Sequence, residues 1–429
     1  MTAMDKVSTL PPASRSSTVQ KFRTPAGLEC WLVEDYAVPL VAFDFAFRGG
    51  NTHDPQGRDG ATSMLAALLD EGAGDMNADA FHRALDEKAV EISYSADRDL
   101  FNGRLKTLTR HIDVAFDLLR LTVNEARLDV DAIERVRSQM IAGLKRELKD
   151  PDALAGKAFR EAVFPNHPYG RAGRGTLESV AQITREDLVA LRRNIMTRGD
   201  IKIACVGAID AARLAKLIDH VFAPLPATGD LKVIADAPIA GMGERKIVDV
   251  DVPQSTIRFG LPGIVRKDPD YMIATVVNHI LGGGVFSARL FKEVREKRGL
   301  AYSVHSQLAN WEHAALFSGG TSTKNERAAE SLQVIEEEIA KLAADGPTEE
   351  ELDKAKKYLT GSYVLRFDTS TKICDQLVHL QTEGFPVEYL DERNALINAV
   401  TLDDTRRVAK RLFDGKKLLV AVAGRPEGM

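Results

Sequence analysis

The sequence predicts an α+β fold built from two similar units. Patterns typical of helices and of strands alternate along all 429 residues, which argues against an all-helical solenoid. A motif also recurs, because Ile-Thr-Arg-Glu-Asp around Thr184 returns as Val-Thr-Leu-Asp-Asp around Thr401, 217 residues later. Independently, an Asp-Pro pair at 54–55 returns at 268–269, 214 residues later. Since the two spacings agree within three residues, we interpret the chain as an internally duplicated α+β unit.

The elements of the first copy follow from its apolar patterns. Runs at 28–34 and 40–47 predict strands, and the alternation of Phe43, Phe45 and Phe47 places these rings on one buried face. Further along we expect a helix at 61–70, a helix at 79–88, two strands between 91 and 106, two long helices between 112 and 148, a buried strand at 201–209 and a helix at 211–222. By the repeat, the helix at 61–70 corresponds to residues 271–281.

The second copy contains a corner in which three consecutive glycines precede a basic helix. Gly282, Gly283 and Gly284 have no side chains to bury, so this run can adopt positive φ or let another chain approach closely. Together with the helix and a following tyrosine, the run could hold an extended peptide. Composition alone favours the simpler interpretation of an ordinary loop–helix–strand corner.

The helix after the glycines has a predicted start, face and end. Ser287 is positioned to cap it, and Gly299 is positioned to end it. Its apolar face is predicted to consist of Leu290, Phe291 and Val294. In the strand that follows, the period of two predicts that Tyr302, Val304 and Ser306 share one face.

Composition excludes several classes of partner. A formal charge of −5 with 28% charged residues gives no reason to expect nucleic acid or an anionic membrane surface. No apolar run approaches the roughly 20 residues that span a bilayer, and the first residues lack the apolar core of a signal peptide. The compartment stays open, with the cytoplasm expected for the sequence as given and the periplasm if a leader preceded Met1.

Of the three cysteines, Cys30 and Cys205 are predicted to be buried thiols. Cys30, Cys205 and Cys374 lie far apart without a Cys-x-x-Cys pair, and two of them lie in apolar strand-like runs. This pattern favours neither a disulfide scaffold nor a zinc knuckle.

The repeat divides the chain into four segments. Residues 1–18 are rich in Ser, Thr and Pro and are expected to form a disordered arm. The two copies are assigned to 19–228 and 244–429, and a linker containing Gly and Pro is assigned to 229–243.

A family resemblance follows from the duplication, the three glycines before a basic helix, and Arg295 followed seven residues later by Tyr302. In these features the chain resembles the pitrilysin-type zinc metallopeptidases, the family that includes insulysin and the mitochondrial processing peptidase. The resemblance covers nearly the whole chain from Val19 onward. It implies two homologous α+β domains, each a mainly antiparallel sheet covered by helices.

The resemblance also locates a zinc motif that this chain has lost. Family members carry His-x-x-Glu-His on the first long helix, and the flanking segments 48–50 and 60–62 match that context. The motif positions fall on Ser63, Ala66 and Ala67, which supply none of the nitrogen, thiolate or carboxylate donors that zinc needs and no glutamate as general base. We therefore expect no metal in this chain and no catalysis by the chain alone.

The resemblance assigns the second copy to the substrate. In relatives, an arginine and a tyrosine seven residues apart contact the carbonyl oxygen of the scissile peptide, and Arg295 and Tyr302 match that spacing, with Arg298 as the alternative arginine. One such donor contributes about 3–4 kcal/mol to lowering the barrier. Gly282, Gly283 and Gly284 would hold the substrate strand. Without the resemblance, Arg295 is simply a solvated helix charge and Tyr302 a half-buried strand residue.

Two-chain members of the family indicate the function. One subunit holds zinc, while its partner has a degenerate motif and a glycine-rich loop, as here. The main hypothesis is therefore the non-zinc subunit of a heterodimeric zinc metallopeptidase, with a homologous zinc-bearing subunit as partner and an unfolded peptide as substrate. The alternative is a catalytically dead scaffold, like the respiratory-chain core proteins of the same family. A stand-alone enzyme with another kind of site has no supporting residue cluster.

Overall fold

The computed structural model describes residues 15–429 and, at Val285, the backbone only. Residues 1–14 of the arm predicted at 1–18 lie outside the described part. The end of that arm forms a short 3-10 turn at Ser16–Thr18, where Ser16 Oγ donates to Asp391 Oδ2 at 2.5 Å. The arm is therefore ordered where it meets the second half of the chain.

The described chain forms two large sheets and a small two-stranded ribbon. The strands are β1 (Gln20–Arg23), β2 (Glu29–Glu34), β3 (Leu40–Arg48), β4 (Gly72–Ala73), β5 (Met76–Asn77), β6 (Glu91–Ala96), β7 (Leu100–Leu108), β8 (Lys202–Gly207), β9 (Arg245–Asp249), β10 (Gln254–Pro262), β11 (Ala301–Trp311), β12 (Ala314–Lys324) and β13 (Leu419–Gly424).

The helices are distributed over both halves. They are α1 (Ala61–Ala66), α2 (Ala78–Lys88), α3 (Ile112–Glu125), α4 (Val130–Glu147), α5 (Pro151–Val163), α6 (Leu177–Gln182), α7 (Arg185–Ile195), α8 (Ala211–Phe222), α9 (Tyr271–Asn278), α10 (Ala328–Asp345), α11 (Glu349–Gly361), α12 (Ser370–Glu383), α13 (Tyr389–Ala399) and α14 (Leu402–Phe413). Two segments are π-helical. His279–Gly283 includes the first two glycines of the run, and Phe291–Glu296 follows the run.

The two large sheets repeat one topology. The first has the order β1-β2-β8-β3-β7-β6, and the second has the order β9-β13-β10-β12-β11. Each contains one parallel pair, β2 with β8 and β9 with β13, while the neighbouring pairs are antiparallel. The predicted α+β fold with two mainly antiparallel sheets is confirmed, and in this order β11 is the counterpart of β6.

One face of each sheet packs against helices of its own half. In the first sheet Phe43, Phe45 and Phe47 are all fully buried, as predicted, and Phe45 meets the ring of Phe222 from α8 edge-on at 5.0 Å. In the second sheet, Phe317 packs edge-on against Phe413 of α14 at 4.9 Å. These aromatic contacts form the main core of each half.

The opposite face of each sheet is covered by a helix from the other half. Cys374 and Leu377 of α12 pack against Trp31 and Ala204 of the first sheet. Reciprocally, α5 and the residue after it, Phe164, pack with Leu419 of the second sheet. The two helices are therefore exchanged between halves, and each sheet depends on the other half for one of its two apolar covers.

Local signals in the sequence account for several boundaries. The repeated motif forms a capping box in both copies, at Thr184 and at Thr401, and starts α7 and α14. The helix predicted at 61–70 is shorter than expected, because α1 ends at Ala66 and the chain then turns so that Leu68 and Leu69 enter the core.

The segment predicted as a linker has no regular secondary structure, and the three cysteines are buried. No helix or strand is assigned between Phe222 and Arg245, and the predicted linker 229–243 falls inside this segment. Cys30 and Cys205 are free and buried, as predicted, and so is Cys374. Burial raises the pKa of all three thiols, so they are inert packing residues. Within residues 15–429, no helix is both long and apolar enough to cross a bilayer.

Candidate functional site: a glycine run and an arginine–tyrosine pair

The positions expected for zinc ligands offer no metal site. Ser63, on α1, uses its hydroxyl to donate to the Gly173 carbonyl at 3.0 Å, while Ala66 is buried and Ala67 is exposed. Across the described residues, no group of three His, Cys, Asp or Glu side chains is placed to hold a metal ion. Because the residues present do not suit zinc, no catalytic step can be assigned to a metal in this chain.

The glycine run is packed against the second sheet. Gly282 is buried. An added Cβ there would lie 2.5 Å from Ser306 Oγ and 2.7 Å from the Ser306 nitrogen. Gly283 is exposed, and Gly284 is half-buried. None of the three adopts positive φ, so the run serves close approach rather than an unusual backbone conformation. Gly282 has a packing role, and Gly283 is the glycine open to a ligand.

The basic segment after the glycines differs from the predicted capped α-helix. Its regular part is the π-helix Phe291–Glu296, and Ser287 does not cap it, because its hydroxyl donates back to the Gly284 carbonyl at 3.0 Å. The predicted apolar face is correct, with Leu290, Phe291 and Val294 all buried. Gly299 ends the segment with a φ of +59°. Single π-helical turns are found frequently at functional sites.

A β-bulge changes the facing of the strand that follows. The register of β11 on β12 shifts between Ala301 and Val304, so one extra residue is accommodated there. As a result Tyr302 is 83% exposed, whereas Val304 and Ser306 are buried. The prediction that these three residues share one face is wrong, because the strict period of two does not hold across a bulge.

The bulge brings Tyr302 against Arg295. The Cζ atom of Arg295 lies 4.6 Å from the centre of the Tyr302 ring and 4.8 Å from that of Phe291. No ion pair or hydrogen bond engages the Arg295 guanidinium within the described part of the chain. Arg298, the alternative arginine, donates instead to Glu293 Oε2 at 2.7 Å, and Arg289 is paired with Glu351. Among the three arginines of this segment, Arg295 is therefore the one whose guanidinium has no carboxylate partner in the described residues, so all its donors are available to a ligand.

Exposed aromatic side chains surround this pair. Phe286 is 70% exposed and packs edge-on against Phe291 at 5.2 Å. On the other side of the glycine run, Tyr358 is 58% exposed and stacks on the His279 ring at 4.9 Å. His279 is itself buried, its Nε2 has no hydrogen-bond partner within the described residues, and burial lowers its pKa. The neutral imidazole thus faces the glycine run.

Comparisons of sequence and of structure both find similar proteins over most of this chain. A family profile described as "Peptidase M16 inactive domain" matches residues 182–359. A non-peptidase homologue, YmxG from Helicobacter pylori, is 26% identical over 83% of this chain and 82% of its own length. The crystal structure of a peptidase M16 inactive domain from Pseudomonas fluorescens has a TM-score of 0.89 at 26% identity, covering 95% of this chain and 98% of that one. This chain is similar to proteins of the M16 peptidase family over most of its length.

The expected resemblance to this peptidase family is thereby confirmed. Other relatives carry different names. A protein from Streptomyces coelicolor, named an uncharacterised zinc protease, is 24% identical over 95% of this chain and 90% of its own length. A mitochondrial-processing peptidase subunit beta from Lentinula edodes is 22% identical over 89% of this chain and 84% of its own length. The inactive-domain match, together with Ser63, Ala66 and Ala67, supports a catalytically inactive M16 member.

The sequence analysis missed a polar pocket elsewhere in the chain. It has a volume of about 390 Å³ and lies over α1, where Ser63, Arg98 and Arg160 are among its lining residues. Arg98 belongs to the turn between β6 and β7, and Arg160 belongs to α5. No sequence signal points to this pair, because the two arginines are distant in the chain and lie in unrelated elements.

Proposed function

We propose that this chain is the non-zinc subunit of a two-chain M16 peptidase. It would bind an unfolded peptide at the glycine run and present Arg295 and Tyr302 to the carbonyl group that is attacked. The metal would belong to a homologous partner subunit with an intact zinc motif. The observation that carries the proposal is the exposed Tyr302 ring beside a guanidinium that has no ion pair among residues 15–429.

The chemistry of the pair suits this role. A guanidinium and a phenol both donate hydrogen bonds, and both stabilise negative charge that develops on a carbonyl oxygen. Stacking between Arg295 and Tyr302 fixes the two donors relative to each other before a peptide arrives. The bulge at the start of β11 supports the assignment, since bulges are common beside active sites, where they redirect a side chain.

The surroundings suit a peptide and a partner. β11 lies at the edge of its sheet, and edge strands can accept an extended peptide through main-chain hydrogen bonds. The exposed rings of Phe286, Tyr302 and Tyr358 form an apolar rim around the glycine run, which is the kind of surface that another chain covers. The relative named as a subunit of the mitochondrial processing peptidase supports an assembly of two homologous chains.

Reconstitution tests the proposal. The chain would be co-purified with a homologous subunit that carries His-x-x-Glu-His, and cleavage of an internally quenched, unstructured peptide would be followed. We expect cleavage only by the pair, and a fall in kcat of about 10²–10³-fold for Arg295→Ala and for Tyr302→Phe. Lys297→Ala, on the same segment but paired with Glu293, is the matched control.

Three outcomes would contradict the proposal. The first is a partner that cleaves equally well alone, and the second is an Arg295→Ala, Tyr302→Phe double variant with unchanged kcat. The third is a loss of activity with Arg298→Ala but not with Arg295→Ala, which would show that Arg298 has the role proposed for Arg295. A stable two-chain complex whose activity is unchanged by all of these substitutions would instead identify the chain as a scaffold.

A further inference from the structure

We infer that the pocket above α1, at the position of the lost zinc motif, binds an oxyanion. The pocket is lined by four arginines, Arg98, Arg160, Arg171 and Arg174, against two carboxylates, Asp97 and Glu147. This inference concerns another part of the molecule than the glycine run and does not depend on the proposed function.

Two of the four arginines are already neutralised. Arg171 is bound to Asp59 and donates to the carbonyls of Asp54 and Pro55. Arg174 is paired with Glu147 at 2.9 Å. These contacts hold the loop before α6 in place, and they use one of the two carboxylates that line the pocket.

The other two arginines have no acidic partner in the described part of the chain. The carboxylate of Asp97 accepts hydrogen bonds from the backbone nitrogens of Asp99 and Leu100 instead. Arg160 Nε is buried without a hydrogen-bond partner, and Arg98 lies with its Cζ 4.3 Å from the centre of the Trp311 ring. A buried donor left unbonded carries a full desolvation cost, which an anion would relieve.

The two free guanidinium groups also repel each other. Burial lowers the pKa of both, and the charge of Arg160 lowers the pKa of Arg98 further. Nearby carboxylates, Asp99 and Asp97 for Arg98 and Glu161 and Glu147 for Arg160, offset this only in part. Placing two like charges together in a partly buried pocket is unfavourable unless a negative group lies between them. Guanidinium groups bind carboxylates and phosphates through paired, parallel hydrogen bonds, so either oxyanion matches the donors present.

The walls of the pocket are fixed by the fold. Thr52 donates its backbone N–H and its hydroxyl to the Arg98 carbonyl, at 3.1 Å and 2.7 Å. An added Cβ on Gly50 would lie 2.2 Å from the Asp97 carbonyl oxygen, so a glycine is required for this close approach. Arg160 is held by α5, the exchanged helix. The volume of about 390 Å³ accommodates more than a single ion, and the end of a peptide would also fit.

Binding to the isolated full chain tests the inference. The probes are inorganic phosphate, an N-acetylated tetrapeptide with a free C-terminal carboxylate, and the same peptide as its C-terminal amide, all at one ionic strength set with chloride. We expect calorimetric binding at one site, weakened at least tenfold by Arg98→Met and by Arg160→Met. Arg213→Met, which removes an exposed arginine paired with Asp113 outside the pocket, should leave affinity within twofold.

The probes distinguish the sources of the oxyanion. A free-acid peptide that binds at least tenfold more tightly than its amide, in an Arg98- and Arg160-dependent manner, supports a peptide carboxylate as the ligand. Phosphate binding with no difference between the two peptides supports a small inorganic anion. No binding of phosphate or of the acid peptide, or binding that both methionine variants retain, overturns the inference. If a variant fails to fold, the acid–amide difference and phosphate binding of the unmodified chain still decide.

Discussion

Asp54 and Asp268 occupy equivalent places ahead of α1 and α9, but their carboxyl groups have opposite environments. Asp54 is buried and accepts hydrogen bonds from the backbone nitrogens of Gly60 and Thr62, both at 2.7 Å. Burial raises its pKa to about 6. Asp268 is held by Arg411, with Nη2 to Oδ2 at 2.7 Å, and this hydrogen bond lowers its pKa. The two copies thus share an aspartate at this position, but its pKa is raised in the first copy and lowered in the second.

This difference predicts an unusual pH dependence of stability. Because the folded-state pKa of Asp54 lies above its unfolded value of 3.8, the folded state binds more protons, and its stabilising contribution is lost as pH rises through about 6. Between pH 5 and pH 7 the free energy of unfolding should therefore fall by about 1 kcal/mol from this group. Urea unfolding of the unmodified chain and of Asp54→Asn at both pH values measures it.

Asp268→Asn is the matched control for that measurement. Since the pKa of Asp268 is lowered, its carboxylate stays ionised in both states over this range, and its stabilisation is lost only at pH values below the unfolded pKa of 3.8. The stability difference between this variant and the unmodified chain should be the same at pH 5 and pH 7. Equal pH dependence of the two variants would contradict the assignment.

The three glycines should differ in their tolerance of alanine. Gly282→Ala places a Cβ against Ser306 of the sheet and should lower the free energy of unfolding by about 1–3 kcal/mol. An added Cβ on Gly283 would lie 2.8 Å from Asn278 Nδ2 and 3.3 Å from the Asn278 carbonyl oxygen. Gly283→Ala therefore displaces an amide that is hydrogen-bonded to Ser306, but it should cost less than Gly282→Ala, because its nearest backbone contact is longer than the 2.7 Å contact of Gly282. Thermal unfolding compares them, and Gly283→Ala then becomes the variant suited to testing peptide binding. A Gly283→Ala chain as unstable as Gly282→Ala would show that the run is structural throughout.

Replacement of two arginines of the basic segment should lower the free energy of unfolding by different amounts. Arg289 is mostly buried and paired with Glu351, and it also donates to the Gly346 carbonyl at 3.0 Å. Its replacement by alanine should cost at least about 2 kcal/mol, since it leaves a partly buried carboxylate unpaired. Arg295→Ala loses only its stacking on the Tyr302 and Phe291 rings, about 0.5–1 kcal/mol. Urea unfolding curves decide, and a large loss with Arg295→Ala would make it a structural residue.

The exchanged helices should make the two halves fold as one unit. A fragment of residues 244–429 lacks α5, which covers one face of its sheet, and leaves α12 without the sheet that it covers. We expect this fragment to be unfolded or aggregated, whereas the whole chain unfolds in one transition. Thiol labelling during urea unfolding of the whole chain should expose Cys30 and Cys374 at one midpoint. A cooperatively folded 244–429 fragment, judged by circular dichroism, would contradict this expectation.

Local sequence was sufficient to predict the fold class and most elements. Alternation identified the buried face of β3 around Phe43, Phe45 and Phe47, and the paired motifs at Thr184 and Thr401 revealed the duplication because capping boxes are short-range signals. Side-chain chemistry alone also excludes Ser63, Ala66 and Ala67 as zinc ligands.

Only the tertiary structure determined how residues distant in the chain are combined. The bulge that turns Tyr302 toward Arg295 arises from pairing with β12, which no local pattern records. The exchange of α5 and α12 between halves, and the meeting of Arg98 with Arg160, depend on packing across the whole chain. Sequence thus determines what each segment can form and which chemistry it carries. Long-range packing, which buries some charges and leaves others without partners, decides where that chemistry is available.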